Sequence, residues 1–303
     1  MIYTVTFNPA IDYVMHGDNI EIGGVNRFRH EEIYFGGKGI NVSIILSKLG
    51  VKSIALGFVA GFTGKAIERG IKENGIETDF IHLKNGFSRI NVKIKSGVET
   101  EINGNGPDID DEALEELFNK LDSLEDGDII VLAGSIPSSL PDNIYENILE
   151  RLSNKNIKAV VDASGELLIN VLKYKPFLIK PNNYELSEIF DKKLNTKEEI
   201  AECAAKLQEI GAKNILVSMA DKGAMLLDEN GKLHMCDACS GTMKNSVGAG
   251  DSMVAGFIAG SMNGNYEYAL MLGTASGGAT AFSDGLAEKE DIIKCMKQFN
   301  KKI

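Results

Sequence analysis

A glycine-rich segment at residues 247–252 combines the residue types and spacing that phosphate chemistry needs. Gly248, Ala249 and Gly250 would let the backbone N–H groups at the start of a helix approach an anion closely, and the helix dipole favours negative charge there. Asp251 follows directly, and its carboxylate could take a proton from an alcohol while the amides hold a phosphoryl group in transfer. The same residues also fit a tight turn with Asp251 as a helix cap, because short glycine motifs are often purely structural.

A second glycine cluster lies at residues 36–41, before another apolar helical pattern. Its glycines, Gly37 among them, would admit a ligand. Lys38 offers a positive charge, and Asn41 can both donate and accept hydrogen bonds. A turn followed by a helix-start Asn is the alternative interpretation. The sequence contains neither the P-loop pattern nor the dinucleotide-binding G-x-G-x-x-G pattern, and it has no protein-kinase H-R-D or D-F-G element.

The elements that must position these clusters are short β-rich runs that alternate with longer helical patterns. This alternation is typical of a doubly wound α/β fold, a mainly parallel sheet with helices on both faces. Strands are predicted at 3–7, 53–59, 128–132, 159–162, 177–179 and 214–218. Helices are predicted at 39–49, 64–74, 111–121, 143–152, 184–190 and 197–210, with two more between 249 and 282 that are broken around 263–265.

Two stretches interrupt the alternation, at about residues 11–36 and 80–103. Within the second, residues 89–94 and 98–102 are typical of a β-hairpin. We therefore predict a single domain over residues 1–303 with a small β-sheet lid. Such a lid could exclude water from a reaction, or its open face could pair with another subunit to form a homodimer.

The composition limits the classes of partner. With 303 residues, 44% hydrophobic content and a net charge of −11, the chain supports a large core but would be repelled by nucleic acid and by anionic membranes. An anionic ligand must therefore meet a local basic cluster. The N-terminal residues have no basic leader, and no apolar run approaches membrane-spanning length, so a cytoplasmic location is expected.

The four cysteines do not form a disulfide scaffold in a chain of this length. His234, Cys236 and Cys239 form an H-x-C-x-x-C pattern that is compatible with zinc. No second Cys or His pair lies nearby in the sequence, and a single C-x-x-C is a weak signal. Zinc is therefore not predicted at these residues.

The glycine clusters, together with residues 6–12 and the Asn182-Asn183-Tyr184-Glu185 segment, closely resemble the ribokinase-like sugar kinases of the phosphofructokinase-B family. The resemblance covers nearly the whole chain and implies a ribokinase-like fold. In that family a Gly-Gly-x-Gly-x-Asn signature matches residues 36–41. A G-A-G-D signature matches residues 248–251, and its Asp is the catalytic base. The N-x-x-E element matches residues 182–185 and helps to place magnesium and the nucleotide phosphates.

Residues 8–12, 25–27, 37–42 and 89–93 look like the branch of this family that acts on fructose 1-phosphate. The resemblance then implies transfer of a phosphoryl group from ATP to give fructose 1,6-bisphosphate and ADP, with Asp251 as general base. The substrate-binding residues it implies are Asp12, Arg27, Gly37, Lys38, Asn41 and Arg89. The nucleotide-binding residues are Lys180, Asn182, Ser218, Gly223, Gly248 and Gly250. Glu185 would bind magnesium indirectly, through water or phosphate.

Several alternatives remain open at this point. Asp12 also fits a turn residue, and Arg27 also fits a solvated surface charge. Residues 273–279 could lie against adenine, although small residues more often allow close helix packing. A monovalent cation could join ATP and Mg²⁺ as a cofactor. The substrate could instead be tagatose 6-phosphate or fructose 6-phosphate. A silent sugar or nucleotide sensor on the same fold is a further alternative, against which the intact Asp251 argues.

Overall fold

The computed structural model describes residues 1–18 and 20–299. Asn19, which falls in the predicted lid range 11–36, and residues 300–303 of the predicted domain lie outside the described residues. In chain order the strands are β1 (Ile2–Thr6), β2 (Ala10–His16), β3 (His30–Gly36), β4 (Ile54–Ala60), β5 (Glu77–Thr78), β6 (Ile81–Leu83), β7 (Arg89–Lys95), β8 (Thr100–Asn103), β9 (Ile129–Ala133), β10 (Lys158–Asp162), β11 (Leu178–Ile179), β12 (Asn214–Ser218), β13 (Ala224–Leu227) and β14 (Leu233–Cys236). The helices are α1 (Lys38–Lys48), α2 (Gly61–Glu73), α3 (Asp111–Leu121), α4 (Ile144–Arg151), α5 (Gly165–Val171), α6 (Asn183–Ile189), α7 (Lys197–Ile210), α8 (Ala249–Ser261), α9 (Tyr266–Ala281) and α10 (Lys289–Phe299).

The main sheet has ten strands within the described part of the chain and is parallel through its centre. Its order is β14-β13-β12-β11-β10-β9-β1-β4-β5, and β6 also pairs with β4. Only β13 and β14, at one edge, run antiparallel to their neighbours. Ile130, Val131 and Leu132 of β9 are all fully buried, as expected for a strand that is covered by helices on both faces. The carboxyl ends of β1, β9, β10, β11 and β12 therefore meet at one edge, where open α/β sheets bind their ligands.

A separate four-stranded sheet, here called the lid, has the order β3-β2-β7-β8. Its central pair, β2 and β7, is parallel and sets Asp12 beside Asn91. Because side chains alternate along a strand, Asp12 and Asn91 share one face with Lys93, and Ile33 and Ile102 belong to the other. The predicted range 80–103 extends beyond this sheet, since β6 within it pairs with β4 of the main sheet.

The predicted ribokinase-like doubly wound fold is confirmed. Each strand and helix predicted from the sequence is present within a few residues of its expected bounds. The prediction missed α5, α10, the short strands β5 and β6 and the β13–β14 pair. α5 has seven residues, and β13 and β14 have four each, which is too short for a periodic pattern to identify them.

Close packing of α8 against α9 fixes the position of the glycine-rich helix start. A Cβ atom on Gly256 would lie 2.5 Å from the carbonyl oxygen of Leu272, and one on Gly277 would lie 3.0 Å from that of Ala249. Small residues therefore let the two backbones approach each other. This contact explains the small residues at the buried α8-facing positions of 273–279 by helix packing. That adenine lies against this stretch stays a prediction.

Candidate active site

Asp251 lies in the first turn of α8, and its residue is only 5% exposed. Gly248 precedes the helix as its N-terminal cap residue and has φ +79°, a backbone conformation that glycine adopts without the steric penalty of a side chain. This turn brings Asp251 and the first backbone N–H groups of α8 to the same helix end. The sequence analysis predicted this arrangement because the whole motif is contiguous.

Asn41 holds the Asp251 carboxylate in place. Its Nδ2 atom donates a hydrogen bond of 2.8 Å to Asp251 Oδ2, although the two residues are 210 positions apart. Asn41 lies in the first turn of α1, which begins after Gly37 (φ +134°). A Cβ atom on Gly37 would lie 2.5 Å from Thr6 Cγ2, so the loop before α1 needs glycine there both for its conformation and for space. The structure thus joins the two glycine clusters through one side-chain contact.

A second acidic residue, Asp162, lies between two lysines at the carboxyl end of β10. Lys38 Nζ is 3.2 Å from Asp162 Oδ2, and Lys180 Nζ is 3.2 Å from Asp162 Oδ1. Asp162 and Lys180 are both buried, whereas the Lys38 side chain is 48% exposed. A Cβ atom on Gly250 would lie 3.2 Å from Lys180 Nζ. Lys180 therefore lies against the glycine turn that carries Asp251.

The charges of this cluster give the two carboxylates different proton affinities. Burial, and after it the negative charge of Asp162, raises the pKa of Asp251 to about 6, although Asn41 and both lysines act in the opposite direction. Burial also disfavours ionisation of Asp162, but Lys180 first and then Lys38 hold its pKa below the usual value. Asp162 is therefore a permanent anion, and Asp251 can exchange a proton near neutral pH.

The lid contributes a polar face to the same region. Asp12 accepts a hydrogen bond of 2.8 Å from Asn91 Nδ2 and forms an ion pair of 3.1 Å with Lys93. Arg89 begins β7, and its Nε atom is buried without a hydrogen-bond partner among the described residues. Burial lowers the pKa of Arg89, while the nearby Asp12 raises it. The lid thus places the positive charges of Lys93 and Arg89 close to the Asp12 carboxylate.

Two cavities meet at the loop between β3 and α1. One, of about 460 Å³, is lined by Asp12, Gly36, Asn41 and Lys93 among others. The other, of about 380 Å³, is lined by Gly37, Lys38, Arg89 and Asp162 together with Asn8 and Ser135. Each is large enough for part of a small phosphorylated ligand. Together they follow the boundary between the lid and the main sheet.

The residues predicted to bind nucleotide follow β11 and β12. Asn182 caps α6, and Glu185 completes a capping box because its Oε2 accepts the Asn182 backbone N–H at 2.8 Å. Asn182 and Ser218 form an isolated parallel bridge, so the ends of these two strands lie side by side. Gly223 has a role in the fold itself, since a Cβ atom there would lie 2.0 Å from the carbonyl oxygen of Cys236.

Arg27 is not brought to this region. It is exposed in the loop between β2 and β3 and lines neither of the two cavities. Conversely, Asp162, Asn91 and Lys93 belong to this region but were not predicted from the sequence. Asp162 ends a strand that was predicted at 159–162, so its position at the carboxyl end of that strand was a usable signal. The position of Lys93 depends on the pairing of β2 with β7, which no local pattern reveals.

The residues of the H-x-C-x-x-C pattern do not converge as a group of metal ligands in the described part of the chain. His234 Nε2 lies 2.8 Å from Asp228 Oδ2, and both side chains are buried. Among the described residues, groups that could hold a metal ion do not include His234, Cys236 or Cys239. None of the described helices is long and apolar enough to cross a bilayer.

The fold and the arrangement of these residues define a ribokinase-like α/β enzyme. Arabidopsis thaliana ribokinase, solved with ribose and ATP, has the same fold, with a TM-score of 0.78 and 20% identity over 98% of both chains. The chain belongs to the pfkB family of carbohydrate kinases, whose family model matches residues 5–292.

Several proteins of known name match nearly the whole chain. The chain is 49% identical to the 1-phosphofructokinase of Bacillus subtilis strain 168 over 299 residues, 98% of each protein. It is 38% identical to the D-tagatose-1-phosphate kinase of Bacillus licheniformis, again over 98% of each. A solved structure from Staphylococcus aureus is 41% identical, with a TM-score of 0.89 over 98% of this chain and 97% of that one. The tetrameric inhibited form of phosphofructokinase-2 from Escherichia coli gives a TM-score of 0.89 at 25% identity over 99% of both chains.

Proposed function

We propose that this carbohydrate kinase transfers the γ-phosphoryl group of ATP to the C6 hydroxyl of fructose 1-phosphate, giving fructose 1,6-bisphosphate and ADP. The observation that carries the proposal is the buried Asp251 carboxylate, held by Asn41 at 2.8 Å beside the N-terminal end of α8. The 49% identity to a protein named 1-phosphofructokinase supports the choice of substrate. The residue roles below extend this proposal.

Asp251 acts as the general base. Its carboxylate accepts the proton of the C6 hydroxyl, the C6 oxygen forms a bond to the γ-phosphorus, and the bond from that phosphorus to the β–γ bridging oxygen breaks as ADP leaves. A pKa of about 6 keeps most of the carboxylate ionised at pH 7 while leaving it basic enough to take a proton. A group whose pKa lies near the working pH is the most effective general base.

Positive charge and backbone donors stabilise the transferring group. The N–H groups at Gly248, Ala249 and Gly250 would donate to the phosphoryl oxygens next to Asp251, where negative charge spreads during transfer, and the Ala249 N–H would have to exchange its 3.3 Å hydrogen bond to the Ser246 carbonyl oxygen. Lys180 lies beside Gly250 and is held by Asp162. Because these donors are fixed before substrate binds, they need little reorganisation during the reaction.

The phosphate already present on the sugar requires its own positive site in a chain of net charge −11. Lys38 and Arg89 line one cavity, and Arg89 Nε is buried with no hydrogen-bond partner in the described part of the chain. A buried unpaired donor is costly unless a ligand satisfies it. We therefore place the 1-phosphate at Lys38 and Arg89, and the sugar hydroxyls at Asp12 and Asn41. Arg27 would reach this site only if the loop that carries it moves or belongs to another subunit.

Magnesium fits the carboxylate at Glu185. Mg²⁺ prefers oxygen ligands and usually binds through one or two carboxylates, substrate phosphates and water. Glu185 uses Oε2 in its capping box. Burial, the largest effect on Lys38, lowers its pKa, but Asp162 and Asp251 and then the charge of Glu185 raise it above the ordinary value. Glu185 is thus close to the cationic site where phosphates would bind. When bound, the ion would neutralise phosphate charge.

We include a monovalent cation as a further cofactor. Turnover measured after potassium is replaced with sodium tests this.

The lid is also proposed to join two subunits. Ile33 is 57% exposed and Ile102 59% exposed on the face opposite Asp12 and Lys93. An exposed apolar sheet face of this kind favours pairing with a second copy. Light scattering after size exclusion should show a dimer that Ile102→Lys weakens. Ile210→Lys, at a 52% exposed position at the end of α7, is the matched control that should leave the dimer intact. A monomeric wild-type protein would contradict the proposal.

The substrate is tested by ATP-dependent ADP release with a panel of fructose 1-phosphate, tagatose 1-phosphate, fructose 6-phosphate, tagatose 6-phosphate and fructose. We expect the highest kcat/KM with fructose 1-phosphate. The 38% identity to a D-tagatose-1-phosphate kinase makes the tagatose epimer the strongest competitor. Preference for a 6-phosphate would overturn the substrate, and tight binding without turnover would favour a sensor. The buried Cys203, Cys239 and Cys295 are free thiols, which supports a reducing, cytoplasmic location.

A further inference from the structure

Two histidines and a glutamate converge at the outer end of the lid, away from the residues used in the proposed reaction. His16 ends β2 and His30 begins β3, and the two are directly opposite in the antiparallel register. Their rings are 5.2 Å apart, measured between centroids. Glu32 lies two residues along β3 from His30. Because of the strand alternation, all three side chains extend from the same face as Asp12.

Both imidazoles direct their Nε2 atoms at the Glu32 carboxylate, one to each oxygen. His16 Nε2 is 2.9 Å from Oε2, and His30 Nε2 is 3.6 Å from Oε1. The ligand atoms of the three residues all lie within 4.8 Å of one another. Two ligands bound tetrahedrally at about 2.1 Å from a zinc ion are roughly 3.4 Å apart. The two His–Glu separations bracket this value and all three lie within 4.8 Å, so rotation of the side chains would complete the site.

From this convergence of two imidazoles and one carboxylate, we propose that His16, His30 and Glu32 form a Zn²⁺-binding site that ties β2 to β3. Two His and one Glu are a common donor set for zinc, with water in the fourth position. Imidazole ligands favour zinc over magnesium, which prefers oxygen donors. The site is therefore separate from the magnesium that accompanies ATP.

The surroundings contain both signs of charge. Lys95 lies next to His16 in the β2–β7 register and opposes a bound cation. Asp284 compensates for it in part: its ion pair with Lys244 lowers its pKa, and the charges of Lys95 and His16 add to this effect. Tyr34 lies two residues from Glu32 on the same face of β3, where its hydroxyl could orient the carboxylate. His30 is 65% exposed, so an ion can reach the site from solvent.

The experiment is a calorimetric titration of the full-length protein with Zn²⁺ in the presence of excess Mg²⁺. We expect one zinc equivalent in the wild type, and at least a tenfold weaker affinity in His16→Asn, His30→Asn and Glu32→Gln, since ligand loss should cost no less than loss of an outer partner. His82→Asn is the matched control, because His82 forms a 3.0 Å pair with Glu68 but is not grouped with a second imidazole among the described residues. That variant should bind like the wild type.

Co²⁺ serves as a spectroscopic probe of the donor set. Visible bands of low-symmetry Co²⁺ that disappear in His30→Asn and survive in His82→Asn would support the site. An unchanged zinc equivalent in both His16→Asn and His30→Asn would overturn it, as would a thiolate-to-cobalt charge-transfer band, which would assign the metal to the buried cysteines. Melting temperatures of the variants without metal show whether each is folded, and Glu32→Gln gives a second test if a histidine variant is not.

Discussion

Replacing Asp251 with Asn should make the protein more stable while it removes activity. The carboxylate is 5% exposed, and burial raises its pKa to about 6 from an ordinary value of 3.8. A shift of about 2 units corresponds to roughly 3 kcal/mol of lost folding free energy at pH 7, because each unit is about 1.4 kcal/mol. Asn has a similar shape, can still accept the hydrogen bond from Asn41, and carries no charge to desolvate.

The pH dependence gives this effect a distinctive sign. A raised carboxyl pKa means that the folded state holds the proton more tightly, so the penalty is absent below pH 4, grows between about pH 4 and 6, and is complete above pH 6. The gain from Asp251→Asn should therefore be about 3 kcal/mol at pH 7, about half that at pH 5, and below 1 kcal/mol at pH 4. For a chain of this size we expect a rise in Tm of roughly 5 °C at pH 7.

Asp162→Asn is the matched control because it should have the opposite effect. Lys180 and Lys38 hold the pKa of Asp162 below its usual value, and the neutral amide would leave a buried ammonium group without its counter-charge. Loss of one partner of a buried ion pair costs about 3 kcal/mol or more. Differential scanning fluorimetry at pH 4, 5 and 7 measures both variants. A lower Tm for Asp251→Asn at pH 7, or a gain that does not shrink toward pH 4, would refute the reasoning.

The remaining predictions concern turnover. In the wild type, kcat/KM should fall about tenfold per pH unit below pH 6 as Asp251 is protonated, and a pH profile that stays flat down to pH 5 would exclude it as the base. Asn41→Ala removes a donor that lowers the pKa of Asp251, so the acid limb of the same profile should move to higher pH; a shift to lower pH would contradict this. Gly248→Ala places a side chain at φ +79° with Cβ 2.6 Å from Leu286 Cδ2, so stability should drop by about 1–2 kcal/mol and kcat should fall; wild-type denaturation and kinetics would contradict the assigned geometry. Lys93→Met frees Asp12 from its 3.1 Å ion pair, so KM for the sugar phosphate should rise about tenfold with KM for ATP unchanged, whereas equal changes in both would indicate general damage to the lid.

The sequence predicted those features that are encoded locally. The 248–251 turn and the 36–41 loop each form a short contiguous motif, so their residues could be named before their contact was known. The helix break near 263–265 was predicted for the same reason, because Gly264 and its neighbours end one apolar pattern before the next begins.

Features that depend on contacts between distant segments of the chain could not be predicted from local sequence patterns. The contact of Lys38 with Asp162 joins residues 124 positions apart, and nothing in either local pattern indicates it. The parallel pairing of β2 with β7 places Lys93 near Asp12, although β3, α1, β4, α2, β5 and β6 separate the two strands along the chain. Arg27 illustrates the reverse case, in which a resemblance suggested a role for a residue that the fold leaves exposed in a loop.

The most direct test of the account is a comparison of wild type and Asp251→Asn with fructose 1-phosphate and fructose 6-phosphate, measured as ADP release with the product identified by phosphorus NMR. We predict fructose 1,6-bisphosphate from the wild type, a higher kcat/KM for the 1-phosphate, and a loss of a hundredfold or more in the folded variant. A variant that keeps near wild-type turnover would contradict the role of Asp251 as base, and preference for fructose 6-phosphate would contradict the placement of the 1-phosphate at Lys38 and Arg89.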